Sequence, residues 1–239
     1  MELVSPFAFI YSYIHSPISK IAFNTSPLLS PTHPPTFLAL LFLTHYLNRA
    51  LISPLRTPSR SKSTLAIPLA GASFNIANGG LLGAYLSSPS AHGYLSGAFK
   101  SPRFWLGVTL WAIGFAGNIA HDEILLNIRR SRKAQTKANG TQQNAKEHYA
   151  VPHGLLFRYL SFPNYFCEWV EWFGFALAAA PAPSIASLPL FLATIHPPWI
   201  FLWAEVVTML PRAWRGHKWY HRKFEDYPKE RKVVVPFVF

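Results

Sequence analysis

Residues Arg212 to Phe239 read RAWRGHKWYHRKFEDYPKERKVVVPFVF. Basic and aromatic side chains crowd together as far as Lys232, and the chain then closes on the apolar, proline-containing Val233–Phe239. The apolar run Ile185–Leu210 stands immediately before. An apolar run that gives way to Lys, Arg, Trp and Tyr is how a membrane-crossing helix emerges on the cytosolic side. This stretch sets the fold class to be tested: all-α, a polytopic membrane helix bundle, with a basic cytosolic tail over residues 212–239.

The bulk composition points the same way. The 239 residues amount to one domain by length, spanning 1–239. Half of them are apolar and 13% are charged, against about 25% in soluble domains. Eight Trp, ten Tyr and nineteen Phe add an apolar load that a soluble surface would not cover. The net charge of +12 raises nucleic acid as a partner. The bases, however, lie in short blocks between apolar runs and not along one face, so no nucleic-acid partner is expected. Cys167 is the lone cysteine, which excludes an intrachain disulfide and a multi-cysteine metal site. No metal is expected, and nothing in the pattern specifies an oligomeric state.

Apolar runs recur at Leu3–Ile14, Thr36–Ile52, Ile67–Leu86, Phe104–Ala120, Phe166–Ala180 and Ile185–Leu210. Several approach the ~20 residues that span a bilayer, while the first falls short. No basic segment precedes that first run and no small-residue cleavage site follows it, so no cleaved signal peptide is expected. Pro54, Pro68, Pro181, Pro183, Pro189, Pro197 and Pro198 mark ends and kinks. The expectation is six helices, two or three of them broken. Basic residues then fall on alternate loops. Arg56, Arg60 and Lys62 follow the second run, and Arg129, Arg130, Arg132, Lys133, Lys137, Lys146 and Arg158 follow the fourth. The other loops hold only Lys20, Lys100 and Arg103, which places the basic loops and the tail in the cytosol. Of two glycosylation sequons, Asn24-Thr25-Ser26 would face the lumen and Asn139-Gly140-Thr141 the cytosol, so only the first is open to modification. Residues 131–147, rich in Lys, Gln, Asn and Ala, read as a mobile cytosolic loop.

Ionisable and amide groups within or beside spans are costly and are therefore functional candidates. Asn118 and Asp122 lie four residues apart, on one helix face at the cytosolic end of their span. Asn164 and Glu168 repeat that spacing at the start of the next, with Glu171 and Trp172 following. His45, Tyr46 and Arg49 come late in the second run, and Glu2 opens the chain. Each pair taken alone would also serve as a cap or as interhelical glue. Gathered on one membrane face with the Arg/His/Tyr tail, they suit a phosphorylated, ribose-bearing ligand, because Arg meets phosphate bidentately and carboxylates accept ribose hydroxyls. The βαβ dinucleotide fingerprint is absent. Gly79-Gly80-Leu81-Leu82-Gly83 is the one glycine cluster, and in an apolar span Gly79 and Gly83 are expected to let helices approach closely. Zinc, Ser-elbow and P-loop motifs are also missing from the sequence.

These motifs, in this order, resemble the steroid 5α-reductase family over essentially the whole chain. Glu2-Leu3, His45-Tyr46 with Arg49, Phe74-Asn75 with Asn78-Gly79 and Gly83, and Gly117-Asn118 through Asp122 with Arg129 each resemble a family segment. So do Tyr149-Ala150-Val151-Pro152, Ser161 through Glu168, Glu171-Trp172, and most closely the tail. The resemblance implies an endoplasmic-reticulum enzyme with NADPH entering from the cytosol into a seven-helix bundle. Its lipid or steroid substrate carries a carbon–carbon double bond conjugated to a carbonyl. It implies that Asn118, Asp122, Arg129, Tyr149, Asn164, Glu168, Arg212, His217, Tyr220 and Arg231 hold the cofactor. Glu2 and Tyr46 would hold the substrate carbonyl, with Phe74 and Trp172 lining the lipid pocket.

The chemistry of such a substrate asks for hydrogen-bond donors. Hydride attack at the β-carbon moves charge onto the carbonyl oxygen. Tyr46 is a donor as it stands, and Glu2 becomes one if burial keeps it protonated. Against the family pattern, this sequence begins at the Glu and is expected to lack the first span. Ala150 stands for a basic residue, Gly216 for one His of a His-His pair, and Cys167 for a Gly. Within the superfamily, reductases of trans-2-enoyl-CoA or of polyprenol are alternatives; a non-catalytic membrane protein and a lipid methyltransferase of similar topology are others.

Overall fold

The computed structural model describes residues 2–22, 28–57, 64–138 and 149–238. Among these the regular elements are all helical, so the chain is all-α; one isolated parallel bridge joins Leu160 to Lys232. The helices are α1 (Val4–His15), α2 (Pro17–Ala22), α3 (Pro34–Tyr46), α4 (Ser53–Arg56), α5 (Ala66–Leu86), α6 (Pro89–Tyr94), α7 (Pro102–Ala138), α8 (Pro163–Ala179), α9 (Leu188–Thr194) and α10 (Pro197–Lys223). A π-helical turn, Leu47–Ile52, links α3 to α4, and 3-10 turns occupy Ala98–Lys100 and Leu155–Arg158. Proline opens α2, α3, α6, α7, α8 and α10. Its fixed φ suits a first turn, where the missing N–H would have had no intrahelical acceptor. Ser88 and Ser187 cap α6 and α9 by accepting from the backbone N–H of Ala91 and Leu190.

Each expected apolar run lies largely on helix, and the sixth is interrupted at Ile195 and His196. Ser16, in the left-handed region at φ 45, separates α1 from α2, and α9 meets α10 at a bend of 110°. Among the described residues, Pro34–Arg56 is the helix long and apolar enough to cross a membrane, and α9 with α10 qualifies together as a broken span. The other four expected spans are helical but do not reach that combination of length and hydropathy. α7 runs on to Ala138, so the start of the segment expected as a loop is helical; the remainder, both sequons, Arg60, Lys62 and Lys146 lie outside the described residues.

By its internal contacts the chain divides into two compact units. The first comprises Met1–Leu55, Arg60–Trp111 and Trp172–Trp203. There α1 lies directly on α5. A Cβ at Gly79 would strike the carbonyl oxygen of Ser5, and one at Gly83 that of Phe9. The two glycines thus let backbones touch, as small residues four apart do. Phe9 stacks on Phe42 with centroids 4.2 Å apart. Tyr13 and Thr36 share a buried hydroxyl contact of 2.8 Å. α7 crosses α8 at a second glycine contact, where a Cβ on Gly107 would come 2.6 Å from the Gly174 oxygen. Arg103 closes the C-terminus of α8, donating to Leu177 O at 3.2 Å and Ala180 O at 2.9 Å.

The second unit comprises Arg56–Ser59, Ala112–Glu171 and Ala204–Phe239. Gly114 lies against the backbone of Cys167 and Glu171, and a Cβ at Gly117 would sit 2.7 Å from Cys167 Sγ. The missing side chain at 117 therefore makes the room that Cys167 fills. Glu123 binds both Arg56 and Arg130, fastening α4 to α7. The tail does not trail into water. Lys232 N donates to Tyr159 O at 2.8 Å, Ser161 N to Lys232 O at 2.8 Å, and Phe162 N to Val233 O at 3.0 Å. Ala213, Val233 and Val234 form a small core against Phe162, Tyr165, Phe166, Trp169 and Leu210. Val233 and Val234 of the tail are thus core of this unit.

Candidate functional site

The two Asn/acid pairs of the sequence meet in the second unit. α7 and α8 run antiparallel, so the first member of one pair faces the second member of the other. Asn118 Nδ2 donates to Glu168 Oε2 at 3.1 Å and to Asn164 O at 3.1 Å. Asn164 Nδ2 donates to Asp122 Oδ1 at 3.0 Å. Asn118, Asn164 and Glu168 are buried, and Asp122 is half-buried. Interhelical glue and candidate binding group are therefore the same four residues. Beside them His121 donates from Nδ1 to Gly117 O at 2.6 Å and accepts Leu156 N–H on Nε2 at 3.1 Å, which consumes both ring nitrogens.

The tail residues converge on Tyr227, which is buried. Tyr220 stacks on it at 5.2 Å, and the Arg231 guanidinium lies 5.0 Å over its ring. Its hydroxyl donates to Ser161 Oγ at 2.7 Å, and Ser161 Oγ lies 2.6 Å from His217 Nδ1. Burial pushes the Tyr220 phenol up to about 12, reinforced by Tyr227 and Tyr149 and opposed by Arg129 and Arg231. It stays a hydrogen-bond donor throughout the physiological range. Burial, then His221, holds His217 below the usual histidine range. Arg231 is 4% exposed, yet its Nε and Nη1 have no hydrogen-bond partner among the described residues. Its Nη2 faces His153 Nδ1 at 3.5 Å. Tyr149 packs edge-on to Trp219 at 4.9 Å, whereas Arg129 and Arg212 are exposed.

The expected substrate-side residues lie in the first unit. Tyr46 is 5% exposed at the end of α3. Its hydroxyl donates to Asn75 Oδ1 at 3.3 Å and accepts from Asn78 Nδ2 at 3.3 Å. Asn75 is itself fixed by its Nδ2 donating to Gly71 O at 2.8 Å. Trp172 is fully buried against His45 (4.7 Å) and Phe201 (4.5 Å), with its indole N–H lacking an acceptor among the described residues. Phe74 reaches the same Phe201 at 6.3 Å. The Glu2 side chain is 30% exposed, and its Oε2 accepts from Arg49 Nε at 3.2 Å.

Sequence reasoning gave no role to Ser161, Tyr227 and His153, or to Asn75 and Asn78 as partners of Tyr46. Tyr227 had a signal in its Tyr-Pro step after a basic helix. Ser161 and His153 had none, because their partners are 56 to 78 residues away in sequence. Gly216 also gains a physical reason: a Cβ there would run into the Phe162 ring, which fills the place of a side chain.

An all-helical chain with polar groups gathered on helix faces, and no βαβ unit among the described residues, belongs to a class apart from the Rossmann-type dehydrogenases. Comparison with known proteins places it. The family described as 3-oxo-5-alpha-steroid 4-dehydrogenase matches residues 61–239. An uncharacterized protein of Schizosaccharomyces pombe is 37% identical over 248 residues, covering 100% of this chain and 82% of the yeast protein. The bovine 3-oxo-5-alpha-steroid 4-dehydrogenase 1 is 35% identical over 205 residues, 86% of this chain and 68% of its own length. The human 3-oxo-5-alpha-steroid 4-dehydrogenase 2 is 33% identical over 206 residues, with 86% and 69% covered. The chain belongs to the steroid 5α-reductase family.

Proposed function

We propose that this chain is an NADPH-dependent reductase of a 4-ene-3-oxo steroid or a similar lipid enone. It would act as one domain over 1–239, embedded by about six spans in the endoplasmic-reticulum membrane with its C-terminus in the cytosol. The observation that carries this reading is the Tyr46 hydroxyl, buried and held by two amides at 3.3 Å. Both bonds are long, so the hydroxyl hydrogen is readily ceded to a stronger acceptor. Asn78 meanwhile keeps donating to the phenol oxygen, which sharpens Tyr46 as a donor. As the enone carbonyl gains negative charge, the Tyr46 O–H stabilises it in place. Glu2 would serve the same carbonyl end as a second donor from Oε1, which requires a proton on that oxygen while Oε2 accepts from Arg49. Phe74 and Trp172, joined through Phe201, give the apolar wall for the lipid.

Arg231 supports the cofactor half. A buried guanidinium with two unused donors is costly unless an anion completes it, and a phosphate group fits that need. Tyr149, Arg129 and Arg231 each act electrostatically on Tyr220, and the four would hold the same phosphate-bearing ligand, with His217 and Arg212 on the helix of Tyr220. Asp122 and Glu168 each accept one amide hydrogen from the ladder, and a carboxylate has lone pairs beyond that for a ribose hydroxyl. NADPH supplies the hydride when bound.

The test is a substrate panel with membranes carrying the full chain: a 4-ene-3-oxo steroid, a trans-2-enoyl-CoA and a polyprenol, each with NADPH and with NADH. Turnover confined to the steroid with NADPH is expected. Preference for the enoyl-CoA or the polyprenol would move the chain to another branch of the superfamily.

A further inference from the structure

On α10 the sequence changes character at Arg212. From Pro197 to Pro211 the helix carries one acid and no Lys or Arg, and from Arg212 to Lys223 it carries five. One exposed stripe crosses that step. Val207 is 65% exposed, Trp214 follows seven residues later at 40%, and Lys218 and Arg222 continue at intervals of four. Lys218 Nζ lies 4.7 Å over the Trp214 ring, and His217 stacks on Trp214 at 6.4 Å. Trp214, His217, Lys218, His221 and Arg222 line an open cleft of about 450 Å³ whose lining has no carboxylate.

We propose that this cleft binds the phosphate-bearing headgroup of an anionic membrane lipid. The ligand class follows from position and charge together. An exposed apolar residue two turns before Trp214 marks lipid contact, and an indole at the charge step is where interfacial aromatics sit. Lys218, one turn beyond that indole, and Arg222, two turns beyond it, are placed for a lipid phosphate, and Lys and Arg near an anionic leaflet gain from it individually. The cleft shares His217 with the proposed cofactor group, whereas Trp214, Lys218 and Arg222 belong to neither that group nor the carbonyl group. The inference rests on the membrane reading of the chain and not on its reaction.

The experiment uses the full chain purified in detergent and exchanged into mixed micelles of phosphatidylcholine and phosphatidylinositol, with retained lipid counted by native mass spectrometry. The wild type is expected to keep phosphatidylinositol in preference to phosphatidylcholine. The pair K218Q/R222Q is expected to lose that preference by about tenfold or more, with NADPH binding unchanged. Retention undiminished in K218Q/R222Q, or no preference in the wild type, overturns the proposal. Displacement of the lipid by glycerophosphoinositol at equal concentration also overturns it, since the ligand would then be a soluble phosphate. Carbonate extraction separates the two claims. A wild-type chain stripped by carbonate defeats the membrane reading, while a resistant chain without lipid preference defeats this inference alone.

Discussion

Asn118 and Glu168 meet at 3.1 Å with both side chains buried, and one helical turn away Asn164 meets Asp122 at 3.0 Å. The two contacts form a ladder in which every amide hydrogen bond to a carboxylate also ties α7 to α8. Removing an acid therefore does two things: it deletes a hydroxyl acceptor and leaves a buried amide short of a partner.

Asp122→Ala is expected to raise the Kd for NADPH by about tenfold while costing roughly 1–3 kcal/mol of stability. Glu168→Gln keeps the volume and an oxygen acceptor, so it should retain most stability and still bind NADPH more weakly. Fluorescence titration beside thermal unfolding reads both. Unaltered cofactor affinity in either variant refutes the assignment.

Arg231 should respond with opposite signs in two measurements. Its unused donors make the empty fold carry an incompletely paired buried charge, and replacing such charges with apolar residues is often neutral or stabilising. Arg231→Met is expected to leave Tm unchanged or higher without NADPH and to weaken NADPH binding at least tenfold. A protein that loses stability but binds NADPH normally would make Arg231 purely structural.

Gly216 and Phe162 form a compensated pair. Restoring His at 216 drives its Cβ into the Phe162 ring, and overpacking of this kind costs about 1–3 kcal/mol. Gly216→His is expected to lower thermal stability, and Phe162→Leu in the same chain to recover part of the loss. If Gly216→His alone is neutral, the ring moves freely and the pairing has no energetic content.

His217 sets a pH dependence. Its folded value lies below 6.5, with burial the main cause and His221 the second, so the unfolded chain binds a proton that the folded chain refuses. That stability is present above 6.5 and is lost as pH falls through the lowered folded value. Chemical denaturation of wild type and His217→Gln across this window should show a steeper acid-side fall in the wild type. Parallel curves would remove His217 as the titrating group.

What the sequence disclosed depended on the range of the signal. Helix content, proline-marked starts and the Gly79/Gly83 contact follow from patterns a few residues long. The resemblance of whole segments added the order of the site motifs. The Asn118/Asp122 and Asn164/Glu168 spacings put each pair on one helix face, but that they close on each other depends on the antiparallel contact of α7 with α8. The seam itself is marked by Gly107 and Gly114, seven apart, a signal legible in the sequence and not used. The tail was legible as basic, aromatic and cytosolic, which leaves its packing open. Its fold-back through Lys232 and Val233 onto Tyr159–Phe162 is a long-range pairing with no local pattern. The pairing of Glu2 with Arg49 is likewise a contact between residues 47 positions apart, with no local pattern to announce it.

Tyr46 as the donor to the developing charge is the centre of the proposed mechanism. The direct measurement is reduction of a 4-ene-3-oxo steroid by microsomes carrying the chain, supplied with NADPH deuterated at C4, for wild type and Tyr46→Phe. A 5α-reduced product with deuterium on the β-carbon is expected. For Tyr46→Phe a kcat roughly a hundredfold lower is expected, as for loss of one such donor, with NADPH affinity retained. Wild-type turnover that Tyr46→Phe leaves intact, or product without deuterium at that carbon, would contradict the mechanism.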